Sequence, residues 1–311
     1  MVNPAQSAAR KLRIQSVLYG NKREDLQSSL ENLANAIRLA VMAGLLTDVE
    51  LAFGDCSPQP VFTPKDIEAF QTKYWSFGIA RITYDYFDEN KGSAGGHNAL
   101  LAKFDSDLVL ILNPDTVVAP NIFPELLAPL SNPKIGLVEA RQLPIEHGKD
   151  YDRATGETSW ASTACALVTK DAIKQVIGFD AVSFFLYCDD VDFSWRIRLA
   201  GFKVVFQASA VIFHDKRLSQ SGQWQSTAAE EYYSSEAALM LAHKYGRPDL
   251  VAQFRADLRQ NGNENQRKAV AKFDKLEEQR QLPPLWKAHP RSRCFSMAST
   301  PNTGFDHERH L

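Results

Sequence analysis

The sequence predicts an α/β fold, because strand and helix patterns alternate along the first two thirds of the chain. Residues 12–19 are typical of a strand, and the helix pattern that follows has apolar residues every three or four positions up to Gly44. Residues 107–112 contain a continuous apolar run of the kind that is buried in a parallel sheet. The alternation continues with strands at 49–53, 82–87 and 135–139, helices at 93–103 and 121–130, a polar loop at 146–159, a helix at 189–200, and strands at 202–206 and 210–213.

Helix patterns alone fill the region after this α/β part. Thr227 and Glu230 are spaced as a capping box at the start of a helix. We therefore predict an α/β domain at 10–217, a C-terminal helical appendage at 218–285 and a flexible tail at 286–311. We expect the apolar face of the appendage to pack on the α/β domain, and a dimer or membrane contact is the alternative. This face consists of Leu239, Leu250, Phe254, Leu258 and Phe273.

The composition is that of an ordinary globular protein, with 311 residues, 44% hydrophobic and 23% charged residues and a net charge of -2. A charge so close to zero gives no reason to expect a nucleic-acid partner. The longest aliphatic run, at 108–112, is far shorter than the ~20 apolar residues that cross a bilayer. Residues 1–15 lack the apolar stretch of a secretory signal, and the four cysteines form no C-x-x-C pair. We expect a cytoplasmic protein with reduced thiols.

Polar and glycine-rich segments follow two of the predicted strands. Asp55 comes directly after the strand at 49–53, where it can accept hydrogen bonds from a base or ribose, or form an Asp-Ser-Pro turn. Residues 90–98 are rich in small residues and open a helix, so their backbone N–H groups can approach a phosphate or sugar. The alternative is a flexible turn, since the segment lacks the G-x-G-x-x-G spacing of a dinucleotide site. We predict that His97 lies on the helix surface.

A third segment suggests a metal ligand. Asp115 follows the most apolar strand, and a carboxylate at this position suits Mg²⁺ or Mn²⁺. His214 comes at the end of the strand at 210–213 and is the candidate second ligand, because imidazole suits Mn²⁺ better than Mg²⁺. A plain Asn-Pro-Asp turn and a histidine without a metal are the alternatives.

The fourth segment carries three carboxylates at a predicted helix N-terminus, namely Asp189, Asp190 and Asp192. The helix dipole favours carboxylates there, so capping explains one of them, and we predict that Asp192 is the N3 capping group. Adjacent carboxylates repel each other and raise a pKa, which is one way to make a general base. We expect Arg196, one turn later, to neutralise the cluster.

Taken in order, these motifs resemble those of the inverting family 2 glycosyltransferases, especially rhamnosyltransferase-like and galactofuranosyltransferase-like members. The resemblance covers residues 14–214 and rests on N-P-D at 113–115, N-x-G-x-x-G from Asn90, and G-F-D at 178–180 followed by F-F-x-Y, the acidic pair and W-R. The sequence departs from the family at three positions. It has Asp189 where many relatives have Glu, Thr163 where many have Gly, and Asp55 only two residues before Ser57.

The resemblance implies a GT-A fold, a nucleotide-diphospho-sugar transferase fold with a mixed, mostly parallel sheet. It further implies that Asp190 is the catalytic base, with Asp189 as the second candidate, and that Asp115 and His214 hold Mn²⁺ or Mg²⁺. The implied donor-binding residues are Tyr19, Asp55, Asn90, Gly92, Gly95, Asn98, Asn113 and Asp115. The implied acceptor-binding residues are Trp160, Thr163, Trp195 and Arg196.

The implied function is metal-assisted transfer of a sugar from a nucleoside-diphosphate donor to a glycan or lipid-linked glycan, as in polysaccharide biosynthesis at the cell envelope. A dTDP-sugar, with rhamnose as its sugar, is the first expectation for the donor, and a UDP-sugar is the second. Such acceptors suggest peripheral contact with the inner face of a membrane, and a homodimer is a further hypothesis. A sugar nucleotidyltransferase and a catalytically silent carbohydrate-binding or scaffold subunit are the alternatives.

Overall fold

The computed structural model describes residues 9–214 and 225–286. The predicted domain boundary at 217/218 and nearly all of the predicted tail lie outside these residues. The strands are β1 (Arg10–Leu18), β2 (Leu46–Asp55), β3 (Ile79–Tyr86), β4 (Leu108–Leu112), β5 (Thr116–Val118), β6 (Ile135–Leu143), β7 (Cys165–Thr169) and β8 (Lys203–His214). The α-helices are α1 (Arg23–Met42), α2 (Pro64–Tyr74), α3 (Gly92–Leu101), α4 (Ile122–Leu127), α5 (Lys170–Val176), α6 (Asp189–Leu199), α7 (Ala228–Lys244), α8 (Pro248–Gln260) and α9 (Glu264–Glu278).

The strands form one mixed sheet in the order β3-β2-β1-β4-β7-β6-β8-β5. The pairs β3-β2, β2-β1, β1-β4 and β6-β8 are parallel, whereas β4-β7, β7-β6 and β8-β5 are antiparallel. All five residues of β4 are buried, as a continuous apolar run in the middle of a sheet requires. The predicted α/β class with a mixed, mostly parallel sheet is therefore confirmed.

Strand direction decides which residues meet at the edge of the sheet. The strands β1, β2 and β4 run in parallel, so the segments after Leu18, Asp55 and Leu112 leave the sheet at the same edge. The short strand β5 then turns back and pairs antiparallel with β8, with Thr116 opposite His214. This register brings the end of β8 beside the turn that follows β4.

The C-terminal helices pack on the helix that begins with the acidic pair. Their apolar residues, including Leu239, Leu258 and Phe273, form one buried cluster with Phe184 and Val191 of the α/β part. The apolar face that the sequence predicted is thus covered within the chain, as expected. None of the helices in the described ranges has both the length and the apolar character that crossing a membrane requires.

Several elements differ from the sequence prediction. The helices α2 and α5 and the strands β5 and β7 were not predicted, and β8 is one continuous strand rather than two. The prediction that His97 lies on the helix surface is wrong, because the side chain is buried and its Nδ1 lies 3.0 Å from Nε2 of Gln15. Burial lowers the pKa of His97 to about 4, so the ring is neutral at pH 7.

Candidate active site

The predicted metal ligands lie side by side. The Nε2 atom of His214 is 3.2 Å from Oδ1 of Asp115, and the Asp115 side chain is 44% exposed while that of His214 is 9% exposed. The turn that carries Asp115 is fixed by a hydrogen bond of 2.6 Å from the Thr116 hydroxyl to the carbonyl oxygen of Asn113. One oxygen ligand and one nitrogen ligand therefore face the same point at the edge of the sheet.

A buried glutamine orients the histidine. The Nδ1 atom of His214 lies 2.7 Å from Oε1 of Gln142, and an amide oxygen can only accept a hydrogen bond. With Oε1 as the acceptor, Nδ1 is the donor, and Nε2 is the ring atom that faces the carboxylate of Asp115 and can bind a cation there. Two acceptors 3.2 Å apart repel each other unless a proton or a cation joins them.

This donor set fits a divalent cation. A carboxylate oxygen and an imidazole nitrogen suit Mn²⁺, and the hydrogen bond from Nδ1 to a second group is the usual partner of a metal-binding histidine. Within residues 9–214 and 225–286, there is no group of three or more His, Cys, Asp and Glu side chains that could hold a metal. A cation at Asp115 and His214 would therefore take its other ligands from substrate and water.

The two adjacent carboxylates at the start of α6 differ in exposure. Asp189 is buried and its Oδ2 atom has no hydrogen-bond partner, whereas Asp190 is partly exposed. Burial and the charge of Asp190 raise the pKa of Asp189 to about 7. Burial also raises the pKa of Asp190, although the hydrogen bond from the Val191 N–H and the charge of Lys149 act against this. Of the two carboxylates, Asp190 is thus the more exposed.

The third carboxylate of the cluster has a structural position, and the prediction that it caps α6 is wrong. Asp192 is fully buried, accepts a hydrogen bond of 2.7 Å from Nε of Arg196, and lies 2.5 Å from Nζ of Lys244 on α7. The hydroxyl of Tyr245 donates to the same carboxylate at 3.0 Å. These contacts tie the C-terminal helices to α6.

Two of the predicted acceptor residues are engaged in this packing. Arg196 is 7% exposed, and its Nη1 donates to the backbone carbonyl oxygens of Val176 and Gly178 at 2.8 and 2.7 Å. The ring of Trp195 packs edge-on against Tyr245, with 4.7 Å between the ring centres. Arg196 is thus engaged in the buried ion pair with Asp192 and in these backbone hydrogen bonds, and its side chain does not face the site as the predicted acceptor contact would require.

The segment 160–164 connects the metal pair to the acidic pair. The N–H of Asn113, two residues before Asp115, donates to the carbonyl oxygen of Ala164 at 2.9 Å. A backbone hydrogen bond from the adjacent Thr163 acts on Asp190 and lowers its pKa. The turn with Asp115 and the carboxylate of Asp190 are therefore linked through two adjacent residues, Ala164 and Thr163.

The glycine-rich segment lies against the loop before α6. Gly92 has a φ of +66°, and a Cβ added to it would collide with the carbonyl oxygen of Phe185. The neighbouring Ser93 donates its N–H to the same oxygen at 2.9 Å, and its side chain bonds to Asp189. The predicted donor residue Asn98 donates to the carbonyl oxygen of Phe179 and accepts from its N–H, both at 2.8 Å. The side-chain amide of Asn98 thus fixes the backbone at Phe179.

Three further predicted donor residues, Asp55, Tyr19 and Asn90, differ in solvent exposure and in their hydrogen bonds. Asp55 is fully buried, and its two oxygens accept hydrogen bonds from the Ser57 N–H, the Val61 N–H and the Tyr84 hydroxyl at 2.8, 2.8 and 2.5 Å. This carboxylate therefore forms the turn that the sequence offered as the alternative, and the loop would have to open before it met a nucleoside. Tyr19, at the end of β1, is 57% exposed, and Asn90 accepts a hydrogen bond of 3.1 Å from the Gly92 N–H.

Three residues near the site were missed from the sequence. Gln142 orients His214, and Glu139 forms a buried ion pair with Lys149, whose charge lowers the pKa of Asp190. Gln142 lies beyond the predicted end of the strand at 139, and Lys149 lies in a segment that shows no pattern except polarity. Glu139 was predicted within a strand, but nothing in the sequence signals its partner.

Comparison with known proteins gives the family. The sequence model of glycosyl transferase family 2 matches residues 22–193, which is more than half of the chain. The chain belongs to this family. This family 2 chain thus has the GT-A fold that the motifs implied, and the recognition of the family from its sequence is confirmed.

Two relatives from Mycobacterium tuberculosis are similar to this family 2 protein over part of their length. A pre-mycofactocin glycosyltransferase is 26% identical over 168 residues, covering 48% of this chain and 35% of the relative. An N-acetylglucosaminyl-diphospho-decaprenol L-rhamnosyltransferase is 36% identical over 84 residues, covering 27% of each chain. The chain thus spans about a third or less of the length of these curated relatives.

Two solved structures share the fold. A mannosyltransferase from Pyrobaculum calidifontis, in complex with GDP-Man and Mn²⁺, superposes with a TM-score of 0.54 at 14% identity, covering 89% of this chain and 83% of that one. GalNAc-T7 with UDP, GalNAc and Mn²⁺ gives the same TM-score at 12% identity, covering 89% and 60%. At this identity the likeness concerns the fold.

Proposed function

We propose that this chain is an inverting glycosyltransferase that moves a sugar from a nucleoside-diphosphate donor to a hydroxyl of a glycan or lipid-linked glycan. The observation that carries the proposal is the contact between Asp115 and His214, with the histidine oriented by Gln142. Membership of family 2 and the nucleotide-bound neighbours of the same fold support it.

In the proposed reaction, Asp190 is the general base. It accepts the proton of the acceptor hydroxyl while the oxygen attacks the anomeric carbon from the side opposite the leaving group. The new carbon–oxygen bond forms as the bond to the diphosphate breaks, and the nucleoside diphosphate leaves with the electron pair. The partial exposure of Asp190 allows this contact, whereas the buried Asp189 lies behind it.

The donor side is formed by residues around the ends of β1 and β4. A Mn²⁺ or Mg²⁺ ion held by Asp115 and His214 would supply positive charge to the departing diphosphate. The N-terminus of α3 at Gly92 presents backbone N–H groups to the same region, and Tyr19 offers an exposed ring for a base. Holding donor and acceptor in line is itself a large part of such catalysis.

The rhamnosyltransferase relative supports dTDP-rhamnose as the first donor to test, with UDP-sugars second. The name of that relative includes a decaprenol-linked acceptor, so a lipid-linked glycan is the acceptor class that we propose. Peripheral membrane contact would follow, and fractionation of cells with and without high salt tests it. A salt-releasable membrane fraction is expected, and a protein found wholly in the soluble fraction would contradict it.

A panel of dTDP- and UDP-sugars with Mn²⁺ or Mg²⁺ tests the proposal, with release of nucleoside diphosphate as the readout. We expect turnover of at least one donor by the native chain. Asp190→Asn should lower the rate by ~10²- to 10⁴-fold, which is the usual contribution of a general base, and leave nucleotide binding in a thermal-shift assay unchanged.

The matched control is Asp189→Asn, which alters the neighbouring carboxylate. We expect this variant to retain more activity than Asp190→Asn, because the Asp189 side chain is buried. A fully active Asp190→Asn variant would refute the assignment of the base. Nucleotide binding without turnover of any donor would favour a silent carbohydrate-binding subunit instead.

A further inference from the structure

A buried ion pair contacts the segment 160–164. The Nζ atom of Lys149 is 2.5 and 2.6 Å from the two carboxylate oxygens of Glu139, and the two side chains are 2% and 0% exposed. Removing two charges from water is costly, so such a pair is weak evidence for stability. A pair at this position therefore calls for another explanation.

The pair is connected to the segment at two points. The ammonium group of Lys149 lies 4.2 Å from the centre of the Trp160 ring, within the range of a cation–π interaction. A hydrogen bond from the backbone of Ser162 acts on Glu139, and one from the next residue, Thr163, acts on Asp190. The adjacent residues Ser162 and Thr163 thus connect the ion pair to the proposed base.

The far ends of the segment are fixed as well. The N–H of Ala161 donates to the hydroxyl of Ser194 on α6 at 3.0 Å, and the carbonyl oxygen of Ala164 accepts from Asn113 at 2.9 Å. The segment is therefore fixed by Asn113, which follows β4, and by Ser194 of α6, and the Glu139–Lys149 pair contacts it at Trp160 and Ser162.

We propose that Lys149, held by Glu139, is a positioning residue that sets the backbone at Thr163 against Asp190 and keeps Asp190 ionised through its positive charge. This inference rests on the proposed function, in which Asp190 is the base. Lys149 acts on the base through charge and backbone, and no contact between Lys149 and substrate is required.

The charged and titratable groups around Asp190 make the direction of the effect definite. Asp189 and Cys188 belong to the same helix end, and the negative charge of Asp190 raises the pKa of both groups. Lys149 is the cation whose charge lowers the pKa of Asp190. Glu139 faces Lys149, and Glu146 acts on Glu139 in turn. Loss of the lysine charge should therefore raise the pKa of Asp190.

Two variants remove this charge. Lys149→Met keeps the length of the side chain. Burial raises the pKa of Glu139 and the charge of Lys149 opposes this, so the carboxyl that remains in the variant can take up a proton. The double variant Glu139→Gln with Lys149→Met replaces the pair by neutral groups of similar shape and guards against misfolding of the single variant. Lys203→Met is the control, because Lys203 pairs with Glu157 at 2.5 Å but is half-buried, and it is not among the main groups that shift the pKa of Asp190.

The direct readout is the titration of Asp190, followed by NMR of protein labelled with ¹³C at the aspartate carboxyls, with Asp190→Asn to assign the signal. We expect the midpoint to rise by about one pH unit in both Lys149 variants and to stay in place in Lys203→Met. The acid limb of donor turnover should move to higher pH by the same amount.

The two readouts separate the inference from the proposed function. An unchanged titration of Asp190 in folded Lys149 variants would overturn the inference. A shifted titration with an unshifted rate profile would support the influence of Lys149 and overturn Asp190 as the base.

Discussion

The Oε1 atom of Gln142 accepts a hydrogen bond of 2.7 Å from Nδ1 of His214, although Gln142 is the last residue but one of β6 and His214 ends β8. The parallel pairing of these strands places Gln142 opposite Ile212, two residues before His214. This register sets Gln142 beside Nδ1 and leaves Nε2 of the ring facing Asp115. The sheet itself thus prepares the histidine for a cation beside Asp115.

Removal of this hydrogen bond should weaken cation binding. We expect Gln142→Leu to lower the affinity for Mn²⁺ by about 10- to 100-fold, since the partner that fixes the tautomer of His214 is lost. Titration calorimetry with Mn²⁺ in the presence of UDP or dTDP measures this. Gln207→Leu, on the same strand as His214 but bonded to Ser209, serves as the control. Equal affinities in both variants would contradict the role of Gln142.

The two glycines at the start of α3 should respond differently to alanine. Gly92→Ala places a Cβ against the Phe185 carbonyl oxygen at a φ of +66°, and this strain should destabilise the fold by roughly 1–3 kcal/mol. Gly95 lies inside α3, and a Cβ added to it would lie 3.2 Å from its nearest neighbour, the Cβ of Lys91. Gly95→Ala should therefore change the free energy of unfolding by less than about 1 kcal/mol. Denaturant unfolding compares them, and equal losses would refute the distinction.

The link between α7 and α6 should be important for stability. Lys244 is 4% exposed and pairs with Asp180 and Asp192 at 2.6 and 2.5 Å, so Lys244→Met should cost about 3–5 kcal/mol. Lys268→Met breaks an exposed pair with Glu264 on α9 and should cost less than about 1 kcal/mol. Similar unfolding midpoints for the two variants in urea would contradict this account.

The ion pair between Lys244 and Asp180 predicts that the stability of the fold decreases in acid. Burial opposes ionisation of Asp180, but the hydrogen bonds from Lys244 and Ser183 outweigh it and lower the pKa from 3.8 to about 2. A depressed carboxyl pKa contributes stability above pH 3.8 that is lost as the pH falls towards 2. Lys244→Met should therefore lose less stability than the native chain over this range. A parallel loss in both proteins, measured by unfolding between pH 4 and 2, would be inconsistent with the pair.

The buried His97 predicts a second acid dependence, at higher pH. Burial lowers its pKa from 6.5 to about 4, so unfolding takes up a proton between these values and stability falls as the pH drops from 6.5 to 4. The loss should be on the order of 3 kcal/mol for this group. His97→Gln should flatten this part of the stability curve, while His243→Gln should leave it in place. An identical slope in the native chain and His97→Gln would contradict the buried neutral ring.

Much of the fold was predictable because its strands have local signals. The apolar run of β4 and the helix pattern of α1 each indicate their element without knowledge of the rest of the chain. The helix α2 also had a signal, since Thr63 and Asp66 form a capping box, but the sequence prediction did not use it. The strand β7 is five residues long and antiparallel to both neighbours, and a short apolar run does not reveal this pairing.

The site was predictable only in part. Asp115, His214 and Asp190 belong to motifs that the sequence displays, whereas Gln142, Glu139 and Lys149 matter through partners far away in the chain. Asp192 and Arg196 are buried because Lys244 and Tyr245, at the end of α7, pack against them. A local sequence pattern does not predict such contacts between distant residues. Local spacing thus identified reactive groups but could not identify the groups that hold them.

The most direct measurement is nucleotide affinity, by calorimetry, with and without Mn²⁺ in three proteins. The account predicts that the native chain binds UDP or dTDP more tightly with Mn²⁺, that Asp115→Asn loses this gain, and that Asp190→Asn keeps it. A nucleotide affinity that does not change when Mn²⁺ is added, and that is the same in Asp115→Asn as in the native chain, would contradict the proposed site.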